Sequence, residues 1–261
     1  MGAKMNDGTD GQLALLSPAP PPVPDWCDLR CCDVAELLAD LAARGERVDL
    51  VVADPPWAYP QRLGGSGAED HYACLSHADI LDHLRAAHRL AAVGSRCLLW
   101  TTWAMLPSFT LAAGSTNGEA TPGGWRWISG GSWCKVAEAD DDGHRNGAPG
   151  IGYHLRSSES EPFLCLLGPS PHARSLLRGA ALQEKHRGRG ERHSEKPIAW
   201  QSECVAAWCP PGGLVLDLYA GLGSVARAVR RAGEGRRYVG AEIDPERHAG
   251  ALALLAQEGT S

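Results

Sequence analysis

Leu214-Val215-Leu216-Asp217-Leu218-Tyr219-Ala220-Gly221-Leu222-Gly223-Ser224 is an apolar run that breaks into Gly-x-Gly and then continues at helical spacing. In the stretch that follows, Val225, Ala228, Val229 and Ala232 share one face, while Arg227, Arg230 and Arg231 point away from it. The segment therefore predicts a strand that turns sharply into a helix over residues 224–232. Glycines allow that turn, and they let the backbone approach a ligand lying at the helix N-terminus. A bare strand-to-helix turn carries the same local signature, and the third glycine of the dinucleotide-binding pattern is absent because Ala226 follows Gly223.

Similar alternation extends through most of the chain. Strands are expected at 48–53, 97–100, 163–167, 214–218 and 238–241, and helices at about 34–43, 78–90, 198–208, 224–232 and 245–257. Strands alternating with helices imply an α/β fold with a mostly parallel sheet. Residues 1–24 are polar and then Pro-rich, and are expected to form a flexible tail before a single domain over 25–261. Residues 59–73 and 136–150 read as mobile loops.

The 261 residues carry 25 Lys+Arg and 31 Asp+Glu, for a net charge of −6, with 44% hydrophobic residues. That balance fits a globular chain and excludes a wholly basic surface, though not a local basic cleft. No apolar run reaches the ~20 residues of a membrane span. Nine cysteines, an odd number with no Cys-x-x-Cys pair, read as small buried hydrophobes in a reducing compartment, and no metal site is expected. Met1-Gly2-Ala3-Lys4-Met5-Asn6 lacks the apolar core of a signal peptide, so a cytoplasmic protein is expected.

Glu242 ends the strand after the glycine turn, 21 residues beyond Gly221. This is close to the ~20-residue offset at which a carboxylate meets ribose hydroxyls in nucleotide-binding α/β units. Asp217, just before the glycines, would repel a pyrophosphate but suits the ammonium of a methionine moiety. S-adenosylmethionine therefore fits this loop better than NAD.

Asp54-Pro55-Pro56-Trp57 directly follows the 48–53 strand. Two prolines fix the backbone and remove two donors, leaving carbonyls to accept, with an acid before them and a flat ring after. An exocyclic amine on a base needs such partners. The same segment could be a strand exit beside a core tryptophan, but a separate cofactor loop in the chain favours the chemical reading. A carbon-5 cytosine mechanism is excluded because the order is Cys209-Pro210 rather than Pro-Cys.

Asp54-Pro55-Pro56-Trp57 together with His193-Ser194-Glu195-Lys196-Pro197, and the glycine loop 163 residues after Asp54, resembles the circularly permuted amino-methyltransferases. Within them it looks like the group with an Asp-Pro-Pro-Trp motif, which contains the messenger-RNA adenosine methyltransferase catalytic subunit and bacterial and phage DNA adenine methyltransferases. The resemblance runs from about Cys27 to Asp244 and includes Cys32-Asp33-Val34, Tyr72 to Ser76, Leu98 to Thr101, Trp133 to Lys135, and Gly150 to Tyr153 with Arg156 and Glu161. The glycine loop departs from the messenger-RNA enzyme and is more similar to the DNA-type members.

The resemblance implies a Rossmann-like S-adenosylmethionine-dependent methyltransferase sheet with circularly permuted strand order. It also implies methylation of the N6 amine of adenine in nucleic acid, with DNA favoured over RNA. In the catalytic role it implies Asp54, Pro55, Pro56 and Trp57. For the cofactor it implies Asp33, Val34, Asp54, Lys196, Asp217, Ala220, Gly221, Gly223, Glu242 and Ile243. Lys196 would meet the cofactor carboxylate and Glu242 its ribose. Trp57, Tyr59, Tyr72, Lys135, Arg156, Arg187 and Arg189 would meet the substrate. The basic stretch 172–193, with six basic residues against two acidic ones, would track phosphates or stand as a solvated loop.

N6-adenosine methylation of RNA, N4-cytosine methylation of DNA and a non-catalytic partner subunit stay open as alternatives. A homodimer or partner subunit also stays open, and no membrane partner is expected. No separate target-recognition domain fits beside the sheet, so sequence specificity would come from loops or a partner. A bacterial or phage origin is expected from the resemblance.

Overall fold

A computed structural model describes residues 24–57, 74–107, 109, 124–136, 160–170, 182–185 and 195–257. Eight strands are described: β1 (Cys27–Cys31), β2 (Val48–Ala53), β3 (Ala91–Trp100), β4 (Arg126–Val136), β5 (Ser160–Leu167), β6 (Leu182–Lys185), β7 (Leu214–Asp217) and β8 (Arg237–Glu242). The helices are α1 (Val34–Ala43), α2 (His77–Leu90), α3 (Ile198–Trp208), α4 (Ser224–Ala232) and α5 (Pro245–Gln257). All eight strands form one sheet in the order β1-β8-β7-β2-β3-β5-β4-β6. The five strands from β1 to β3 run parallel, and β5 is antiparallel to both β3 and β4. The glycine-loop strand β7 comes seventh in the chain yet lies inside the sheet, between β8 and β2. This is the permuted α/β order expected from the sequence.

Both faces of the sheet are covered, which is why its strands read as continuous apolar runs. Side chains alternate across the pleat. Val51, Ala53, Leu99 and Leu216 face α1 and α2, where Leu37, Leu41, Ile80 and Leu84 complete one core. Leu50, Val52, Leu98 and Val215 face the other way, toward Val205 and Trp208 of α3, Val225 and Val229 of α4, and Leu255 of α5.

Helix ends are fixed by short-range hydrogen bonds. Asp33 caps α1 by accepting from the Ala35 N–H at 2.7 Å. Ser76 and Asp79 form a reciprocal capping box at the start of α2. The C-termini of α3 and α4 share one cation. Arg236, 4% exposed, donates to the carbonyls of Ala206, Cys209, Ala232 and Gly233 at 2.8–3.3 Å. Those carbonyls lie in the last turns of the two helices or just past them, where backbone acceptors lack partners within the helix.

Sequence reading missed β1, β4 and β6 and placed the start of β3 too late. The basic stretch 172–193 is not all loop, since Leu182–Lys185 pairs in parallel with β4. The remainder of that stretch, the expected tail before Pro24, the expected loop at 59–73 and the expected loop at 136–150, apart from Val136, which ends β4, lie outside the described residues.

Replacing Arg236 with Ala leaves four carbonyls without their shared donor. Urea unfolding of Arg236→Ala is expected to show a stability loss of about 3 kcal/mol. A loss below ~1 kcal/mol would contradict the role given to this residue.

Candidate active site

In a parallel sheet, ligands collect beyond the carboxyl ends of the strands, where neighbouring strands send their connections to opposite faces. Here β2 leads to α2 on one face and the adjacent β7 leads to α4 on the other. Their shared register pairs Val52 with Asp217. Asp54 and the glycine loop therefore leave the sheet side by side, and the Leu218 N–H donates to the Val52 carbonyl at 3.0 Å.

The turn after β2 is fastened to the chain that returns to α2. The Pro56 carbonyl accepts from the Leu75 N–H at 3.0 Å, and the Trp57 carbonyl accepts from Cys74 Sγ at 3.2 Å. Of the acceptors expected from the two prolines, that of Pro56 is thus engaged. Among the described residues no hydrogen bond reaches the Pro55 carbonyl. The Trp57 indole is 5% exposed and packs edge-on against Phe109, with ring centroids 5.3 Å apart. Stacking on a base would require the ring to leave this packing.

Lys196 comes from the turn before α3 and meets Asp54 across 142 residues of sequence. Its Nζ donates to Asp54 Oδ2 at 2.7 Å and pairs with Glu161 Oε2 at 2.9 Å. The ammonium is almost fully buried and also lies 5.4 Å from the centroid of the Trp100 ring. Burial alone would lower its pKa, but the two carboxylates outweigh burial and hold it above the ordinary lysine range. Glu195 fastens the same turn to α4 through an ion pair with Arg227.

Glu161 is named among the residues that carry the resemblance but is given no site role there. It is the second residue of β5, and because β5 runs antiparallel to β3, its first residues reach the edge where the parallel strands end. The Thr101 N–H, just past β3, donates to the Pro162 carbonyl at 2.9 Å and fixes that level. The signal that places Glu161 against Lys196 is strand pairing, which local sequence does not carry.

The glycine loop is braced from two sides. Gly221 and Gly223 have φ of 54° and 77°, a region that disfavours residues with a Cβ. Glu242 accepts from the Gly221 N–H at 2.8 Å through Oε2 and from the Asp244 N–H at 2.9 Å through Oε1. Burial raises its pKa, against the pull of those two donors. The Ala220 N–H donates to the Ala241 carbonyl at 2.8 Å. A Cβ added to Gly221 would meet nothing within 4 Å, so open space lies beside the loop.

Asp217 lies beneath this loop at 1% exposure. The Tyr238 hydroxyl donates to its Oδ2 at 3.0 Å, and the Tyr219 N–H reaches Oδ1 at 3.4 Å. Burial pushes its pKa up to about 7 despite both donors. The carboxyl expected to meet a methionine ammonium is therefore a buried brace under the loop.

Asp33 and Val34 stand at the same edge, since the Cys32 N–H donates to the Glu242 carbonyl at 3.2 Å. The Val34 side chain belongs to the core, and Ile243 is 64% exposed. Lys135 lies on β4 opposite Glu184 of β6. Tyr59, Tyr72, Arg156, Arg187 and Arg189 lie outside the described residues. The structure thus brings Asp54, Lys196, Asp217, Ala220, Gly221, Gly223 and Glu242 to one edge, with Asp33, Val34 and Ile243 at its flank.

Residues 132–253 match the N6_N4_Mtase family model, described as DNA methylase. The matched stretch contains Lys196 and the glycine loop and ends short of Asp54-Pro55-Pro56-Trp57 on the N-terminal side. In sequence the chain matches none of the curated proteins. Among solved structures it is similar to M1.HpyAVI in complex with SAM, with a TM-score of 0.60 and 15% identity over 88% of this chain and 98% of that one. It is similar to TTHA0409 of Thermus thermophilus, assigned as a DNA modification methylase and complexed with S-adenosyl-L-methionine (TM-score 0.53, 22% identity, 88% and 93% covered). The cytosine-N4-specific PvuII DNA methyltransferase also matches (TM-score 0.59, 13% identity, 87% and 85% covered). The chain has the Rossmann-like fold of S-adenosylmethionine-dependent DNA methyltransferases.

The Asp217 proton gives a pH test of this edge. The folded chain keeps the proton up to about pH 7, whereas an unfolded aspartate releases it near ~4. Stability contributed at this residue is therefore complete below about pH 4 and is lost as pH rises toward 7. Between those limits the stability of Asp217→Asn should gain on the wild type by on the order of 2 kcal/mol, read from urea unfolding at about pH 4.5 and about pH 8. Parallel pH profiles for the two proteins would contradict the assignment.

Proposed function

We propose that this chain transfers a methyl group from S-adenosylmethionine to the exocyclic N6 amine of adenine in DNA. The observation that carries the proposal is the Asp54 carboxylate, held by Lys196 at the mouth of the β2–β7 crevice next to an open glycine loop. No helix among the described residues is long and apolar enough to cross a membrane.

The residues present suit the cofactor. Gly221, with open space beside it, allows close backbone approach. Glu242, beyond its two backbone donors, can accept from ribose hydroxyls. Lys196 has three N–H donors and gives two to carboxylates, which would leave the third for the methionine carboxylate. Asp33, the Val34 backbone and Ile243 flank the adenine end. S-adenosylmethionine supplies the methyl group on a sulfonium centre.

The adenine amine is a weak nucleophile because its lone pair is shared with the ring. Asp54 accepts one of its hydrogens and the Pro55 carbonyl the other, which turns the nitrogen toward tetrahedral geometry with its lone pair toward the methyl. Positioning and fixed dipoles supply the rate, with no covalent intermediate on the protein. The proton that the methylated nitrogen must shed passes to Asp54 or to water. A base must leave its stack to reach such a site. Trp57 stacks on it after rotating away from Phe109. Lys135, Tyr59, Tyr72 and the arginines at 156, 187 and 189 hold the polymer.

N4-cytosine methylation is the second reading. The same two acceptors serve any exocyclic amine, and the cytosine-N4-specific PvuII enzyme shares the fold.

Incubation with methyl-deuterated S-adenosylmethionine, followed by nucleoside mass spectrometry, tests both readings. Duplex DNA, single-stranded DNA and RNA are offered separately. Label is expected on N6 of adenine in DNA, and Asp54→Ala should lower it by about 10³-fold. Label on cytosine N4 would establish the second reading, and label on RNA alone would move the substrate. Undiminished labelling by Asp54→Ala would overturn the role of the carboxylate.

A further inference from the structure

His83 of α2 and Tyr219, which leads into the glycine loop, meet across 136 residues of sequence and have no part in the chemistry described so far. His83 Nδ1 and the Tyr219 hydroxyl are hydrogen-bonded at 2.9 Å, with ring centroids 6.0 Å apart. The Tyr219 ring packs against the core on the α1 and α2 side, while its backbone N–H reaches Asp217 beneath the loop. Two residues further on stands Gly221, whose N–H is held by Glu242. The helix that carries His83 starts from the chain fastened to the Pro56 and Trp57 carbonyls. The His83 hydrogen bond therefore braces the glycine loop from the helix that follows the catalytic turn, a third support beside Glu242 and Asp217.

We infer that His83 is a positioning residue for the cofactor: as a neutral imidazole it accepts from the Tyr219 hydroxyl and sets the glycine loop, and on protonation that hold weakens, so S-adenosylmethionine binds less tightly in acid. This rests on the proposed use of S-adenosylmethionine.

The dependence on protonation lies in the hydrogen-bonding capacity of the ring. A neutral imidazole with its proton on Nε2 accepts at Nδ1, which suits a phenol donor in a half-buried place. An imidazolium has an N–H at both positions and accepts nothing, so the hydroxyl hydrogen would have to turn away. Burial lowers the His83 pKa, against Asp33 before α1 and Asp79 and Asp82 of α2, which raise it. Burial, with Asp33, Asp79 and the Cys97 thiol of β3, raises that of Tyr219, so the phenol keeps its hydrogen. Around neutrality the pair is therefore a neutral imidazole and a neutral phenol. A proton arriving on His83 also gives Asp33 a cation to face, and Asp33 stands at the flank proposed for the adenine end. The contribution to binding is complete above the His83 titration and is lost as pH falls through it.

The test is calorimetry of the full chain with S-adenosylmethionine at about pH 7 and about pH 5, on wild type, Tyr219→Phe, His83→Ala and His83→Asn. Tyr219→Phe removes one hydroxyl and His83→Ala removes its partner. Each should bind about 5-fold more weakly at about pH 7, and the two together no more weakly than either alone. Asparagine places an amide close to the position of Nδ1 and does not titrate, so His83→Asn should recover most of the loss. Asp217 and Glu242, whose pKa values burial raises, are the same in every variant. Between about pH 7 and about pH 5, wild type should therefore lose about 5-fold more affinity than Tyr219→Phe or His83→Asn does. Those two variants carry the pH comparison separately, so it stands if either one folds.

With wild-type binding intact, variants that keep the wild-type pH profile would overturn the role of His83 alone. So would a Tyr219→Phe or His83→Ala chain that binds as tightly as wild type at about pH 7, or losses that add in the double variant. A wild-type chain that binds no S-adenosylmethionine at either pH would overturn the cofactor reading, and this inference with it.

Discussion

A buried ammonium is tolerated only where anions meet it, because removing it from water costs several kcal/mol that packing alone does not return. Lys196 meets that condition with Asp54 at the end of β2 and Glu161 at the start of β5. The three groups come from three distant parts of the chain, and satisfying one cation fixes all three at the same sheet edge. The turn after β2, the beginning of an antiparallel strand and the approach to α3 are held in register by this pairing. The Glu195–Arg227 ion pair extends the hold to α4, the helix that follows the glycine loop.

The other half of the site is organised by buried acids rather than by a cation. Glu242 uses both oxygens on backbone N–H groups, one of them in the loop that it shapes. Asp217 lies below the same loop with Tyr238 and retains its proton to about neutrality. Because the two halves exit neighbouring strands toward opposite faces, they open onto one crevice. Cofactor and acceptor base can then be held on two independently braced walls.

Much of this was legible in the sequence where one physical signal dominates. Val48 to Ala53 reads as a buried strand because both of its faces are covered, and its bounds agree with β2. Helices α1, α3, α4 and α5 were legible from apolar spacing, and α2 differed by one residue at its start. The unseen strands lack that signal. β1 alternates with charged residues at the sheet edge, and β4 carries Gly130-Gly131, which weaken a strand on propensity but here lie against Phe163. β3 starts at Ala91, but Gly94-Ser95-Arg96 hides its first half. The acids and glycines of the site were legible because the chemistry restricts residue type at short spacing. Glu161 entered only as a residue of the resemblance, and its meeting with Lys196 was not legible, since antiparallel pairing carries it there. The burial of Trp57 was equally invisible, because nothing local says whether a ring beside two prolines faces a ligand or Phe109.

The central claim is that the Asp54–Lys196 pair and the glycine loop are two walls of one cofactor site. A crystal structure of the chain grown with S-adenosylmethionine tests it most directly. The account predicts the ribose hydroxyls on Glu242, the methionine carboxylate on Lys196, and the sulfonium methyl directed at the space between Asp54 and the Pro55 carbonyl. A cofactor seated away from the β2–β7 crevice, or with its methyl turned from Asp54, would contradict it.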